Sequence, residues 1–332
     1  MVDTVRMVDV WRGPFAESWH SGMAVVCNAQ GEVVDGWGDI DHVILPRSSV
    51  KMIQALPLVA SGAADKAGLR EDQLGFACAS HSGDPVHVAA ARAWLNDLGL
   101  GDDDLKCGIQ QPMGAASRHA MRASGETPCR VHNNCSGKHC GFLTLSQHLG
   151  AGPDYVTPDH PVQRAVLEAF ETVTGDTSPG FGIDGCSAPN FAATLRGLGR
   201  AMGYFAGARE DGDAMARAAA RLRDAMRRNP VLVAGEGRAC TDLMRAAGGK
   251  VTIKTGAEGV YTAILPEQGL GIVLKISDGT TRASEAAIAA LLVKYGALDP
   301  NDPLVAQRLA PEIRSFAGEL AGGLRLAEGF PD

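Results

Sequence analysis

The stretch "LPRSSVKMIQAL", residues 45–56, decides how the chain is read. It has the apolar spacing of a buried helix, yet it sets Lys51 three residues after Ser48. On an α-helix such residues share a face, with ~5–6 Å between Cβ atoms, so a hydroxyl and an amine can meet there. A serine is a poor nucleophile until a base takes its proton. Val50, Met52, Ile53, Ala55 and Leu56 surround Lys51 with apolar neighbours. Burial, together with the charge of Arg47, favours the neutral amine that can act as that base. A helix start also favours negative charge developing at Ser48. With 16 serines and 8 lysines in the chain, about 0.4 such pairs arise by chance. The spacing alone therefore leaves a second reading open, a lysine snorkelling to the surface from a helix edge.

A second element shifts that balance. "VTIKTGAEG" carries Lys254-Thr255-Gly256 on a predicted strand. An early Ser-x-x-Lys on a helix followed by a late Lys-Thr-Gly on a strand is the pattern of serine β-lactamases and penicillin-binding proteins. The middle Ser-Asp-Asn element of that pattern is missing. Ser80, in "CASHSGD", is the best candidate for its role, with Lys254 as its activating amine.

Length and composition bound the rest. The chain has 332 residues, 45% of them hydrophobic, enough for one large domain or two lobes. A net charge of −7 and 5% aromatic residues argue against a nucleic-acid or anionic-membrane partner. No apolar run reaches the ~18–20 residues of a membrane span. "MVDTVRMVDVWRGP" lacks the pattern of a signal peptide, so the expected location is the cytoplasm.

Along the chain, 23–27 and 32–37 read as a hairpin around "NAQG", and a helix is expected from about Ser48. "LGFACAS" (74–80) reads as a short buried strand, and Asp84-Pro85 as the start of a helix to about Leu98. Residues 101–137 read as irregular. Helices are expected over 136–150, 159–173, 190–206, 212–228, 237–247 and, as the final element, 282–296, with "GFGIDGCSAPN" (180–190) turn-rich. Three strands are expected at "KVTIKTG", "GVYTAIL" and "LGIVLKIS". Strands at both ends and helices between predict an α+β fold: an antiparallel sheet built from both chain ends, helices packed on it, and a helical insertion within one unit over 1–332.

The eight cysteines, spread over so long a chain, are not a disulfide framework. Most sit in apolar settings and read as buried thiols. "HNNCSGKHCGF" differs, gathering His132, Cys135, Lys138, His139 and Cys140, and "GIDGCSAPN" adds Cys186. Thiolate and imidazole are zinc ligands, so chemistry alone suggests Cys135, His139 and Cys186. A nucleophilic cysteine with His132 or His139 as base is a further reading.

Taken together and in order, "PRSSVKMIQALP", "CASHSGDPVHV", "NNCSGKHCGFL", "PDHPVQ", "GIDGCSAP", "VAGEGR" and "KTGAEGVY" resemble the Rhizobium-type (class 3) L-asparaginases from about residue 20 to 295. The resemblance implies a fold like that of serine β-lactamases and serine-dependent glutaminases, and a homodimer. It implies hydrolysis of L-asparagine by two Ser-Lys pairs, Ser48 with Lys51 and Ser80 with Lys254. It also implies a zinc held by Cys135, Lys138 and Cys186, replacing His139 by Lys138. Arg47, His81, Cys135 and Asp184 are the substrate-contacting positions it suggests, Asp184 binding the α-amino group. The competing expectations are a serine hydrolase acting on L-glutamine, a β-lactam or a peptidoglycan fragment, and a non-enzymatic zinc or redox protein using Cys135 and Cys186.

Overall fold

The structure, a computed structural model, describes residues 2–332. The chain divides into two compact units, one over 2–49, 193–207 and 242–332, the other over 50–192 and 208–241.

The first unit is built on one antiparallel sheet of eight strands. They are β1 (Val5–Arg12), β2 (Phe15–Asn28), β3 (Val33–Trp37), β4 (Thr252–Thr255), β5 (Val260–Leu265), β6 (Leu270–Ile276), β7 (Glu312–Arg314) and β8 (Leu320–Leu326). Their order is β7-β8-β1-β2-β6-β5-β4, with β3 paired to β2 beside that path. The β2–β3 hairpin turns where the sequence predicts it, because the Asn28 side chain accepts from the backbone N–H groups of Gln30 and Glu32. In β2, Met23 to Cys27 are all buried, on both faces of the strand. A strand covered on both sides loses the alternation of a half-exposed one and reads as a continuous apolar run. The helices Leu195–Gly207 and Thr281–Lys294 pack on the sheet.

The second unit is helical. Its centre is the helix Ser136–His148, buried from Ser136 through Ser146. The helix is buried on every side although it carries Lys138, His139 and Thr144, and it packs against the helices Glu71–Ala77, Pro85–Asp97 and Pro161–Thr174.

Five expectations are corrected. Residues 74–80 are not a strand: Glu71–Ala77 is a helix, and Cys78 to Gly83 follow as irregular chain. A short apolar run does not distinguish the two by period. Ser48 lies not in an α-helix but in the 3-10 turn Arg47–Val50, and the α-helix begins at Lys51. The supposedly irregular 101–137 contains the helix Ala115–Ser124. The turn-rich 180–190 is a small hairpin, Phe181–Ile183 with Pro189–Phe191. The helix near 282–296 is followed by a further helix, Pro303–Leu309, and by β7 and β8. The fold class itself, α+β with a sheet from both chain ends and a helical middle, is as expected.

Candidate active site

In the sheet unit, Ser48 is half-buried on a turn with an unusual backbone. Arg47, just before it, has φ +56°, a left-handed conformation uncommon for a non-glycine residue and associated with functional sites. The turn is closed by Ser49, whose N–H and Oγ both donate to Pro46 O, at 3.3 and 2.7 Å. Lys254 stands on the edge strand β4, 1% exposed, and its Nζ donates to Thr255 O at 2.8 Å. The glycine of Lys-Thr-Gly has a packing reason. A Cβ on Gly256 would come within 2.7 Å of Pro46 O and 3.2 Å of Ser49, so only glycine lets the strand end lie against the Ser48 turn. The unit thus holds Arg47, Ser48 and Lys254 in one neighbourhood.

In the helical unit, Lys51 is completely buried. Its Nζ donates to Ala79 O at 2.5 Å and to Cys135 Sγ at 3.0 Å. Ser80 follows Ala79 directly, 6% exposed, with its N–H donated to Val233 O. Cys135 sits at the start of the helix Ser136–His148, where Asn133 Oδ1 accepts its N–H at 2.9 Å. Lys138, one turn on, places Nζ 3.0 Å from Cys186 Sγ. Cys186 and Asp184 come from the tip of the small hairpin, with Ser187 at φ +69° immediately after the cysteine. Lys51, Ser80, Cys135, Lys138, Asp184 and Cys186 are therefore gathered around one buried cluster.

The two thiols of that cluster shift in opposite directions. The Cys135 S–H donates to Asn134 Oδ1 at 2.9 Å, and the interaction of the two buried sulfurs pushes the Cys186 thiol below its usual range and Cys135 above its own. Burial alone would lower the Lys138 ammonium, but the neighbouring Cys186 and Cys135 sulfurs outweigh it and raise its pKa. Among the described residues, no three His, Cys, Asp or Glu side chains are grouped to hold a metal ion, so the set Cys135, His139 and Cys186 is not supported. His139 Nδ1 pairs with Tyr155 OH at 2.9 Å, and burial pushes its imidazole down to about 4. His132 lies against Cys129, with Nδ1 3.2 Å from Sγ. Each histidine suggested as a base for Cys135 thus has another partner.

A sequence model of the family described as L-asparaginase II matches residues 8–326. The chain belongs to this family. It is an amidohydrolase by that membership. A search of curated proteins found no match. Among solved structures, a β-lactamase from Mycobacterium bovis superposes with a TM-score of 0.45 and 14% identity, over 82% of this chain and 94% of its own. The structure of Mglu in its tris and glutamate form superposes with a TM-score of 0.48 and 13% identity, over 91% of this chain and 64% of its own.

His81, suggested as a substrate contact for this asparaginase-family chain, is fully buried. Its Nδ1 accepts from Gly83 N–H at 3.1 Å, and Nε2 pairs with Ser136 Oγ at 2.9 Å. The ring stacks between Phe76, at 5.0 Å, and His87, at 4.6 Å. Burial holds the imidazoles of His81 and His87 below the usual histidine range, His81 well below. Below about pH 6.5 the unfolded chain takes up protons that these folded rings refuse. Stability present at neutral pH is therefore lost as pH falls below about 6.5, by up to about 1.4 kcal/mol per pH unit for each ring. Urea midpoints measured from pH 7.5 to 5.5 are expected to fall, and less steeply in His87→Asn. A flat profile contradicts this.

Proposed function

We propose that this amidohydrolase cleaves the side-chain amide of L-asparagine, giving L-aspartate and ammonia through a serine ester. The observation that carries the reading is Lys51, a lysine nitrogen removed from water, one turn along the chain from Ser48, and bonded to the carbonyl preceding Ser80. Burying an amine is costly, and a serine needs a base to become a nucleophile, which supports the pairing.

In this reading Lys51 takes the Ser48 Oγ proton as Oγ attacks the amide carbon. The proton passes to the departing nitrogen, which leaves as ammonia, and water then cleaves the ester. A backbone N–H near Ser48 takes the developing oxyanion, those of Ser49, Ser80 and His81 being donated to Pro46, Val233 and Asn134 carbonyls. Ser80 and Lys254 serve as the second proton-carrying pair. Asp184, half-buried at its hairpin tip, offers its carboxylate to the substrate α-amino group. The test is ammonia release from L-asparagine and, in parallel, L-glutamine. Turnover of L-asparagine is expected, and no ammonia from either amide with Zn²⁺ supplied would overturn the reading.

The zinc implied by the resemblance fits the residues present. Two buried thiols and an amine, 3.0 Å from the Cys186 sulfur, meet there, and His139 Nε2 is buried without a hydrogen-bond partner among the described residues. Sulfur and nitrogen donors suit Zn²⁺. Cys135, Lys138 and Cys186 would hold it, Lys138 giving up its proton on binding. Bound there, the ion would supply fixed positive charge or Lewis acidity. Chelated protein, verified zinc-free by atomic absorption, is expected to lose turnover about tenfold or more and to regain it with Zn²⁺. Full activity without zinc would leave the metal outside the chemistry.

A further inference from the structure

We propose that Thr262 is a positioning residue for the Ser48 turn. The inference rests on the reading of Ser48 as nucleophile and Lys254 as part of the second pair.

The argument begins with register. Thr262 on β5 is the direct antiparallel partner of Lys254 on β4, and directly opposed residues send their side chains to the same face of a sheet. Thr262 is completely buried. Its hydroxyl donates to Ser49 O at 2.9 Å and, more weakly, to Lys254 O at 3.3 Å. One hydrogen thus ties the residue after Ser48 to the backbone of the lysine strand. Thr262 reaches no reacting atom itself; it acts through the main chain of Ser48 and Ser49.

The turn needs such a tie. Arg47 holds a left-handed conformation at φ +56°, and strain of this kind persists only where surrounding structure imposes it. Ser49 closes the turn from inside and Gly256 leaves room for it against the strand. Thr262 alone among these supplies a donor from the sheet. Valine has nearly the same shape and no donor, so Thr262→Val leaves the packing in place and the Ser49 carbonyl without this bond.

Thr262→Val is expected to lower kcat for ammonia release by roughly 10- to 100-fold, with KM changed less than about twofold. Thr262→Ser, which keeps the hydroxyl, is expected to recover kcat to within about threefold of wild type. Thermal midpoints of all three are measured alongside. If valine unfolds the protein, Thr262→Cys, of similar volume and weak donor strength, takes its place. Wild-type kcat in Thr262→Val, or an equal loss in a folded Thr262→Ser, overturns the proposal.

A second readout separates it from the substrate assignment. The rate at which a fluorophosphonate labels Ser48, followed by peptide mass spectrometry, is expected to fall in Thr262→Val whether or not asparagine is the substrate. Equal labelling rates overturn the proposal, and so does a wild-type Ser48 that takes no label. Wild-type protein that releases no ammonia but labels Ser48 faster than the variant overturns only the substrate reading.

Discussion

Ser48→Ala is expected to reduce ammonia release from L-asparagine by a factor on the order of 10⁴ or more, the scale seen when a serine nucleophile is removed from a working catalytic set. The loss belongs to chemistry and not to folding. Ser48 is half-buried on a turn held by Ser49, Thr262 and Gly256, so alanine removes an oxygen that the turn does not use. The thermal midpoint is expected to stay at the wild-type value. Ser80→Ala is expected to lose less, about 10²-fold, the usual contribution of a proton-transfer group. Steady-state assays of the two variants side by side decide the assignment. If Ser80→Ala is the dead variant and Ser48→Ala keeps substantial turnover, the roles of the two serines are exchanged.

Gly137→Ala is expected to destabilise the protein by about 3–5 kcal/mol, at the upper end for overpacking. Gly137 lies between Cys135 and Lys138 on the first turn of the buried helix. A Cβ there would overlap the Phe76 carbonyl and sit 2.8 Å from the Phe76 ring. Backbone cannot yield as a flexible side-chain end does, and Phe76 is itself stacked on His81, next to Ser80. The displacement would reach the candidate site as well as the core. Gly152→Ala is the control: an added Cβ meets nothing within 4 Å there, and a neutral or slightly stabilising effect is expected. Urea unfolding of both variants checks the contrast. Equal stability of Gly137→Ala and wild type would show that this helix start has room to spare.

What was legible in the sequence followed the kind of signal. The strands Thr252–Thr255, Val260–Leu265 and Leu270–Ile276 stood out because β-branched runs between glycine turns leave few alternatives. The Asp84-Pro85 helix start stood out through capping chemistry. β8 did not, because its "LAGGLRL" carries two glycines, ordinarily a turn signal. In the sheet Gly322 pairs opposite Arg12, and a Cβ there would overlap the Trp11 carbonyl. The glycine marks close approach, which only the partner strand reveals. The candidate residues were nameable from spacing and resemblance, but not their company. That Lys51 bonds Cys135, or that His81 pairs with Ser136, depends on contacts between segments far apart in the chain. Thr262 carried no signal of its own, for a threonine in a β-strand is unremarked until its register partner is known to be Lys254.

The order of strands also sets a timetable for biosynthesis. β2 is made early, yet its neighbour β6 is encoded some 250 residues later, and β1 waits for β8 near the very end of the chain. At translation rates of about 5–20 residues per second, roughly 12–50 s pass between synthesis of the apolar run Met23–Cys27 and that of its β6 partner, with only β3 made early enough to pair with it. Until β6 is made, one edge of that strand is open to chaperones or to aggregation. Slower synthesis lengthens this exposure, whereas cooling weakens the apolar attraction that drives misassembly.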